Sequence, residues 1–215
     1  MKLRIETAVP CVEYDDFLRI TLPNNRVVLS SITVLTAPWD TRTAEIATKY
    51  GAKVLVTDSW KRGGPFNKAG ALNEWLERVA SPSEVETWAL VLDADILLPR
   101  DRPLTIDQLD PQGLHSARRR MCYDYNSFRQ FAAGQRPWET FPINVPPVRN
   151  GRVWGHRPTS NPAGLQGYMQ LWCPSRASGM KRFPETGTAA KYDVEFALSF
   201  AQSKRMSKNN VLPSK

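Results

Sequence analysis

The chain has 215 residues, of which 41% are hydrophobic and 23% charged, a composition that excludes global disorder and suits one α/β domain or a domain with a modest extension. It contains no run of about 18 apolar residues, which excludes a helical membrane span, and no charged N-terminal segment leading into an apolar stretch, so a cytoplasmic location is expected. The net charge of +8 is uneven: residues 1–110 hold 13 Lys/Arg and 16 Asp/Glu, residues 111–215 hold 16 and 5, so the second half suggests either a polyanionic or phosphorylated partner or a bias that serves solubility alone.

In chain order, residues 4–12 read as a first strand and 14–29 as a helix interrupted by Pro23. Ser31 to Leu35 is a β-branched run ending at Thr36-Ala37-Pro38. Asp40 is a good N-cap for a helix reaching about Tyr50, with Gly51 as its stop. Lys53 to Thr57 is the next strand, and a Gly-Gly-Pro turn follows at 63–65. Leu72, Trp75, Leu76 and Val79 recur at helical spacing, so 67–79 is a helix. Trp88 to Leu92 is an unbroken apolar strand of the kind buried on both faces. Strand-like pieces follow at 113–118 and 167–173, irregular stretches at 134–166, and a last helix at 192–203.

This βαβαβ rhythm predicts a mostly parallel sheet covered by helices, and such sheets bind ligands beyond the carboxyl ends of their strands. Thr36, Asp58, Asp93 and Asp95 all fall at those ends. The sharpest motif is Leu92-Asp93-Ala94-Asp95 after the apolar strand. On an extended backbone residues i and i+2 face the same side, so both carboxylates would meet one hard cation, Mg²⁺ or Mn²⁺, that also touches phosphate oxygens. Without such a cation, pairing two acids beside a buried strand is costly. The bland alternative is a pair of solvated acids at a strand end. The second motif is Asn67-Lys68-Ala69-Gly70-Ala71-Leu72-Asn73 at a helix start, where small residues allow close approach and Lys68 favours a diphosphate; as an alternative, the Ala and Gly residues only let the helix pack on the sheet.

The order of these motifs resembles that of GT-A glycosyltransferases with a DxD motif, in particular the GT2-like enzymes, closely over residues 3–100 and loosely beyond. The resemblance implies a single GT-A-like domain over 1–215, with a nucleotide-sugar-binding half at 1–110 and a basic acceptor-side half at 111–215. It implies a nucleotide-diphosphate sugar donor, a UDP-sugar first, held with Mn²⁺ or Mg²⁺. Cys11, Val12, Tyr14 and Thr36 would line the base and ribose pocket, Lys68 and Asn73 would lie near the ribose or phosphates, and Asp93 and Asp95 would carry the metal. Tyr168, Gln170 and Trp172 resemble the segment beside the transferred sugar and acceptor. In Tyr192-Asp193-Val194-Glu195-Phe196, Asp193 would be the base that deprotonates the acceptor hydroxyl, with Glu195 second; as an alternative, Asp193 caps the last helix.

Many GT-A enzymes add a histidine ligand after that helix, and residues 203–215 contain none, leaving the acids, waters and donor phosphates. Arg118, Arg119, Arg120, Arg149, Arg152, Arg157, Arg176, Lys181 and Arg182, interleaved with Trp138, Trp154, Tyr168 and Trp172, raise a hydroxylated base in DNA as acceptor, as suspected for small phage and bacterial transferases; the plainer reading is an aromatic acceptor-side core with solvated arginines. Two rival functions stand beside transfer. A sugar-phosphate nucleotidyltransferase would need a Gly-rich loop after the first strand, and Pro10-Cys11-Val12-Glu13-Tyr14 has no glycine. A nucleic-acid-binding module or inactive transferase relic would bind DNA without turning over a donor.

Overall fold

A computed structural model of the chain describes residues 3–61, 66–79, 85–100, 104–117, 122, 124–137, 140, 148–149, 152–153, 169–179, 181–185, 189–202 and 211–212. Its centre is a mixed, mostly parallel sheet flanked by helices, the α/β architecture expected from the sequence. The strands are β1 (Leu3–Pro10), β2 (Ile32–Thr36), β3 (Lys53–Val56), β4 (Glu86–Leu92), β5 (Leu114–Ala117), β8 (Met169–Trp172) and β9 (Val211–Leu212), in the order β3-β2-β1-β4-β8-β5-β9. The first four are mutually parallel, while β8 runs antiparallel between β4 and β5. A separate two-stranded ribbon joins β6 (Val148–Arg149) to β7 (Arg152–Val153) inside the stretch read as irregular.

The helices are α1 (Asp15–Asn25), α2 (Thr41–Lys49), α3 (Lys68–Val79), α4 (Tyr125–Ala132) and α5 (Ala189–Gln202). Strand parity sorts the core into two layers. Trp88, Leu90 and Leu92 of β4 pack with Leu18 and Leu22 of α1 and Ile46 of α2. Ala89 and Val91 face the other way, onto Leu72 and Trp75 of α3 and Phe196 of α5. The sheet is thus covered on both sides, which explains why β4 reads as continuous apolar sequence.

Three local expectations are corrected. α1 stops at Asn25 instead of about residue 29, and Pro23 lies within its last turn, where it lacks the N–H that would bond the carbonyl of Arg19. α4 stands where the sequence predicts no element; Asp124 caps it with a reciprocal Asp124–Ser127 capping box. α5 begins at Ala189, so Asp193 sits inside the helix and does not cap it.

Candidate functional site

The strand order reverses direction at β1: β2 and β3 lie on one side of it, β4 on the other. The carboxyl ends of β1 and β4 therefore flank a crevice of the type in which open α/β sheets bind ligands. Four chain segments converge there.

The first follows β4. Sheet pairing ends at Leu92, and Ile96 N–H donates to Asp93 O at 3.1 Å, so Asp93-Ala94-Asp95-Ile96 is a turn. This corrects the extended i/i+2 geometry: the two acids are presented by a hydrogen-bonded turn, not by alternation along a strand. The alternation still governs Asp93, which continues the parity of Val91 toward α3 and α5 while Ala94 packs into the opposite layer. Asp95 is exposed on the turn.

The second segment is the start of α3. Asn67 Oδ1 accepts from Gly70 N at 2.9 Å, which caps the helix. A methyl group on Gly70 would lie 2.8 Å from Asn67 Nδ2 and 3.1 Å from Ser59 Cβ, so the small residue is required by this cap and by the turn at 58–61. Lys68 is then directed inward. Its side chain is only 10% exposed, and Nζ lies 2.6 Å from Asp93 Oδ1 and 5.8 Å from the centre of the Tyr192 ring. Burial alone would drive the ammonium toward neutrality, but Asp93, Tyr192 and Asp193 outweigh it and hold Lys68 charged.

α5 supplies the third segment. Its buried Tyr192 lies by the Lys68 ammonium, and the half-buried Asp193 beside it feels the charges of Lys68 and Asp93. Burial pushes the Asp193 carboxyl up to about 6; Lys68 opposes that rise and Asp93 adds to it. Asp193 Oδ1 is sealed from solvent and has no hydrogen-bond partner among the described residues. Gln170 of β8, fully buried, donates from Nε2 to Asp193 O at 3.3 Å and leaves its own Oε1 without a partner among those residues. Glu195, two positions further along α5, is about 200° round the helix and does not share the Asp193 face.

The fourth segment is the loop after β1. Tyr14 is 43% exposed and stacks on Phe17 with ring centres 4.6 Å apart. Burial and the charges of Asp95, Asp16 and Asp93 raise the pKa of its hydroxyl. Phe17 in turn contacts Tyr125 and Phe128 of α4, each 5.1 Å away, so α4 forms one wall beside the crevice.

Other sequence-predicted residues occupy structural positions. Cys11 is 2% exposed with its thiol pushed up to about 12 by burial, so its side chain belongs to the core, as does that of Trp172, packed between Phe183 and Phe196. Val12 is partly buried against the α3 layer. Thr36 is buried, with its hydroxyl on Asp40 at 3.3 Å. Asn73 uses its amide on the backbone of Phe183, accepting at 2.8 Å and donating at 2.9 Å, and donates to Glu185 at 3.1 Å. Tyr168, Trp138, Trp154, Arg157 and Arg118 to Arg120 lie outside the described residues.

Sequence reasoning missed the supports of the acidic turn. Thr21 Oγ1 donates to Ala94 O at 2.7 Å, Asn24 Nδ2 to Leu98 O at 2.9 Å, and Asn25 pairs with Ile96 O at 2.8 Å and Leu98 N at 2.9 Å. The available signal was a run of polar residues at the end of an otherwise amphipathic helix.

Among the described residues no three His, Cys, Asp or Glu side chains converge as a metal cluster. The donor set nevertheless fits a hard cation that takes its remaining ligands from phosphate and water. Lys68 occupies one oxygen of Asp93, whose side chain is 34% exposed, and Asp95 is exposed beside it.

No family model matches the chain, and no curated protein matches it. Among solved structures, glucosyl-3-phosphoglycerate synthase from Mycobacterium tuberculosis in complex with uridine-diphosphate is similar over 55% of this chain and 45% of that one, at 17% identity and a TM-score of 0.39. Mannosyl-3-phosphoglycerate synthase from Rubrobacter xylanophilus is similar over 54% of this chain and 39% of that one, at 18% identity and a TM-score of 0.38. This chain spans less than half the length of either protein.

Proposed function

We propose that the protein transfers a glycosyl group from a nucleotide-diphosphate sugar, a UDP-sugar first, to a hydroxyl acceptor. One observation carries this reading: the acidic turn Asp93–Asp95 stands at the β1/β4 crevice with the buried Lys68 ammonium on Asp93 and, 5.8 Å from that ammonium, the ring of Tyr192, the residue before Asp193 on α5. Asp93 and Asp95 would hold Mn²⁺ or Mg²⁺, which supplies charge neutralisation for the departing diphosphate. The Lys68 ammonium holds Asp93 Oδ1 at 2.6 Å, so the turn is fixed before the donor arrives.

The acceptor hydroxyl attacks the anomeric carbon of the donor. Its C–O bond forms as the bond to the diphosphate oxygen breaks, the nucleoside diphosphate leaves, and the hydroxyl proton passes to Asp193. A carboxyl raised to about 6 is a stronger base than an ordinary aspartate and is still ionised at neutral pH. For the acceptor, the positive charge of residues 111–215 favours a polyanion, and a hydroxylated base in DNA is the finer reading.

Thermal-shift measurements with UDP, GDP, CDP and TDP, each with and without Mn²⁺, test the donor site. A cation-dependent rise in melting temperature for one nucleotide is expected, and Asp95→Ala should abolish its cation-dependent part. A flat response to all four nucleotides, together with DNA binding that weakens steeply with salt, would instead support the binding-module reading.

A further inference from the structure

Glu13 has a φ of +55°, the one positive φ on a non-glycine residue among those described. A side chain with a Cβ is disfavoured there, so the surroundings must impose the conformation. The cause is visible in one bond. Glu13 N–H donates to Asp40 Oδ2 at 2.6 Å, a short charge-assisted contact across 27 residues of chain. The same buried carboxylate accepts the Thr36 hydroxyl at 3.3 Å, and through Oδ1 it accepts Thr43 N at 3.1 Å, which caps α2. Burial works to raise the Asp40 carboxyl, but these donors outweigh it and hold it below the usual range, so it is a fixed anion.

One carboxylate therefore ties together the exit of β1, the exit of β2 and the start of α2. The consequence falls on Tyr14, the next residue, whose backbone precedes α1 at φ −130° and ψ 32° and whose side chain makes no cap bond to that helix. With Glu13 in the left-handed region, the chain turns so that the Tyr14 ring, 43% exposed, lies on Phe17 in the loop that leaves β1 at the crevice. An extended or right-handed Glu13 would send Tyr14 in another direction. The sequence offers Asp40 only as a helix cap, and a cap requires one of its two oxygens; the second oxygen is committed to the loop.

We propose that Asp40 is a positioning residue of the nucleotide site: by holding Glu13 in its left-handed conformation it sets the loop 11–14 and aims Tyr14 at the donor. This rests on the transferase reading above.

Asp40→Asn separates the two tasks of the side chain. The amide oxygen can still accept from Thr43 N, but the amide NH₂ cannot accept from Glu13 N. Titration calorimetry with UDP and Mn²⁺ is expected to show at least a tenfold weaker Kd for Asp40→Asn. Adding Glu13→Gly, which removes the penalty of the left-handed conformation, should recover most of that loss. Glu13→Pro keeps the α2 cap intact yet fixes φ near −65° and removes the donor, so it should also lose at least tenfold in affinity while remaining folded. The clamp is overturned if Asp40→Asn and Glu13→Pro bind UDP like the unaltered protein, or if Glu13→Gly fails to restore Asp40→Asn, which is the result expected of a cap alone. If the unaltered protein binds none of UDP, GDP, CDP or TDP, the transferase reading falls and the clamp falls with it. Normal binding by the parent and unchanged binding by the variants overturns the clamp alone.

Discussion

Asp193 joins two properties that pull in opposite directions. Burial raises its carboxyl to about 6, so the folded protein binds its proton more tightly than the unfolded chain does. The sign follows: its contribution to stability is fully present below the unfolded value near 3.8 and is lost as pH rises through about 6. In protein free of added cation, the melting temperature should fall between about pH 4 and 6.5, and Asp193→Asn should flatten that part of the profile. Transfer should move the other way, rising with pH as the carboxylate forms, and Asp193→Asn should lower kcat by at least a hundredfold while leaving UDP affinity within about twofold. An unchanged kcat would remove Asp193 as the base. The neighbouring acid gives a control. Glu195→Gln lies round the helix from this face and should alter neither profile, since residues two apart on a helix point about 200° from each other.

At the scale of elements, the acidic turn depends on the far end of α1. Asn25 is 3% exposed, and its amide makes a two-way contact with Ile96 O and Leu98 N, much as a neighbouring strand would. Replacing it by alanine leaves a part-buried carbonyl and a part-buried amide without that partner, at about 1–3 kcal/mol for each. Asn25→Ala should therefore cost about 2–4 kcal/mol in urea unfolding and, because the turn is loosened, weaken Mn²⁺-dependent UDP binding. Equal loss of stability with unaltered UDP affinity would mean the strap serves the core alone.

The same turn shows what was legible beforehand. β4 could be read because burial on both faces leaves a continuous apolar run, and α2 and α3 because Asp40, Gly51 and the Leu72, Trp75, Leu76 spacing are local signals. The geometry of Asp93–Asp95 could not, because it is decided by Asn25 and Thr21, about 70 positions away. α4 was missed because it is short and buries little beyond Ser127 and Phe128, although the Asp124–Ser127 box announced its start.

For the whole molecule, the question is how α5 reaches a site built from the first half of the chain. β8 enters antiparallel beside β4, placing Met169 opposite Leu92 and Gln170 opposite Val91, next to the acidic turn. Residue parity then sends Gln170 to the α5 layer, where it bonds the backbone of Asp193. A second attachment lies beyond β8. Asn73 of α3 grips Phe183 through both its N–H and its C=O, and Glu185 lies between Asn73 and Asn67 at 3.1 and 3.2 Å.

Sequence alone named Asn73 as a ligand contact because it stands in the right motif; its full use of the amide within the protein is visible only once residues 110 apart meet. Phe183 also stacks on Phe196 of α5 with ring centres 4.1 Å apart, so the latch bears directly on the helix that carries Asp193. Asn73→Ala should cost about 2–4 kcal/mol by orphaning the Phe183 backbone. It should also lower kcat several-fold with UDP affinity nearly unchanged, since the Asn67 cap on Gly70 and the Lys68–Asp93 contact are made without Asn73. Asn73→Asp retains an acceptor for Phe183 N but loses the donor for Phe183 O, and should fall between the two in both stability and turnover. A latch that affected UDP affinity before kcat would place Asn73 at the donor, as its motif suggests, instead of behind α5.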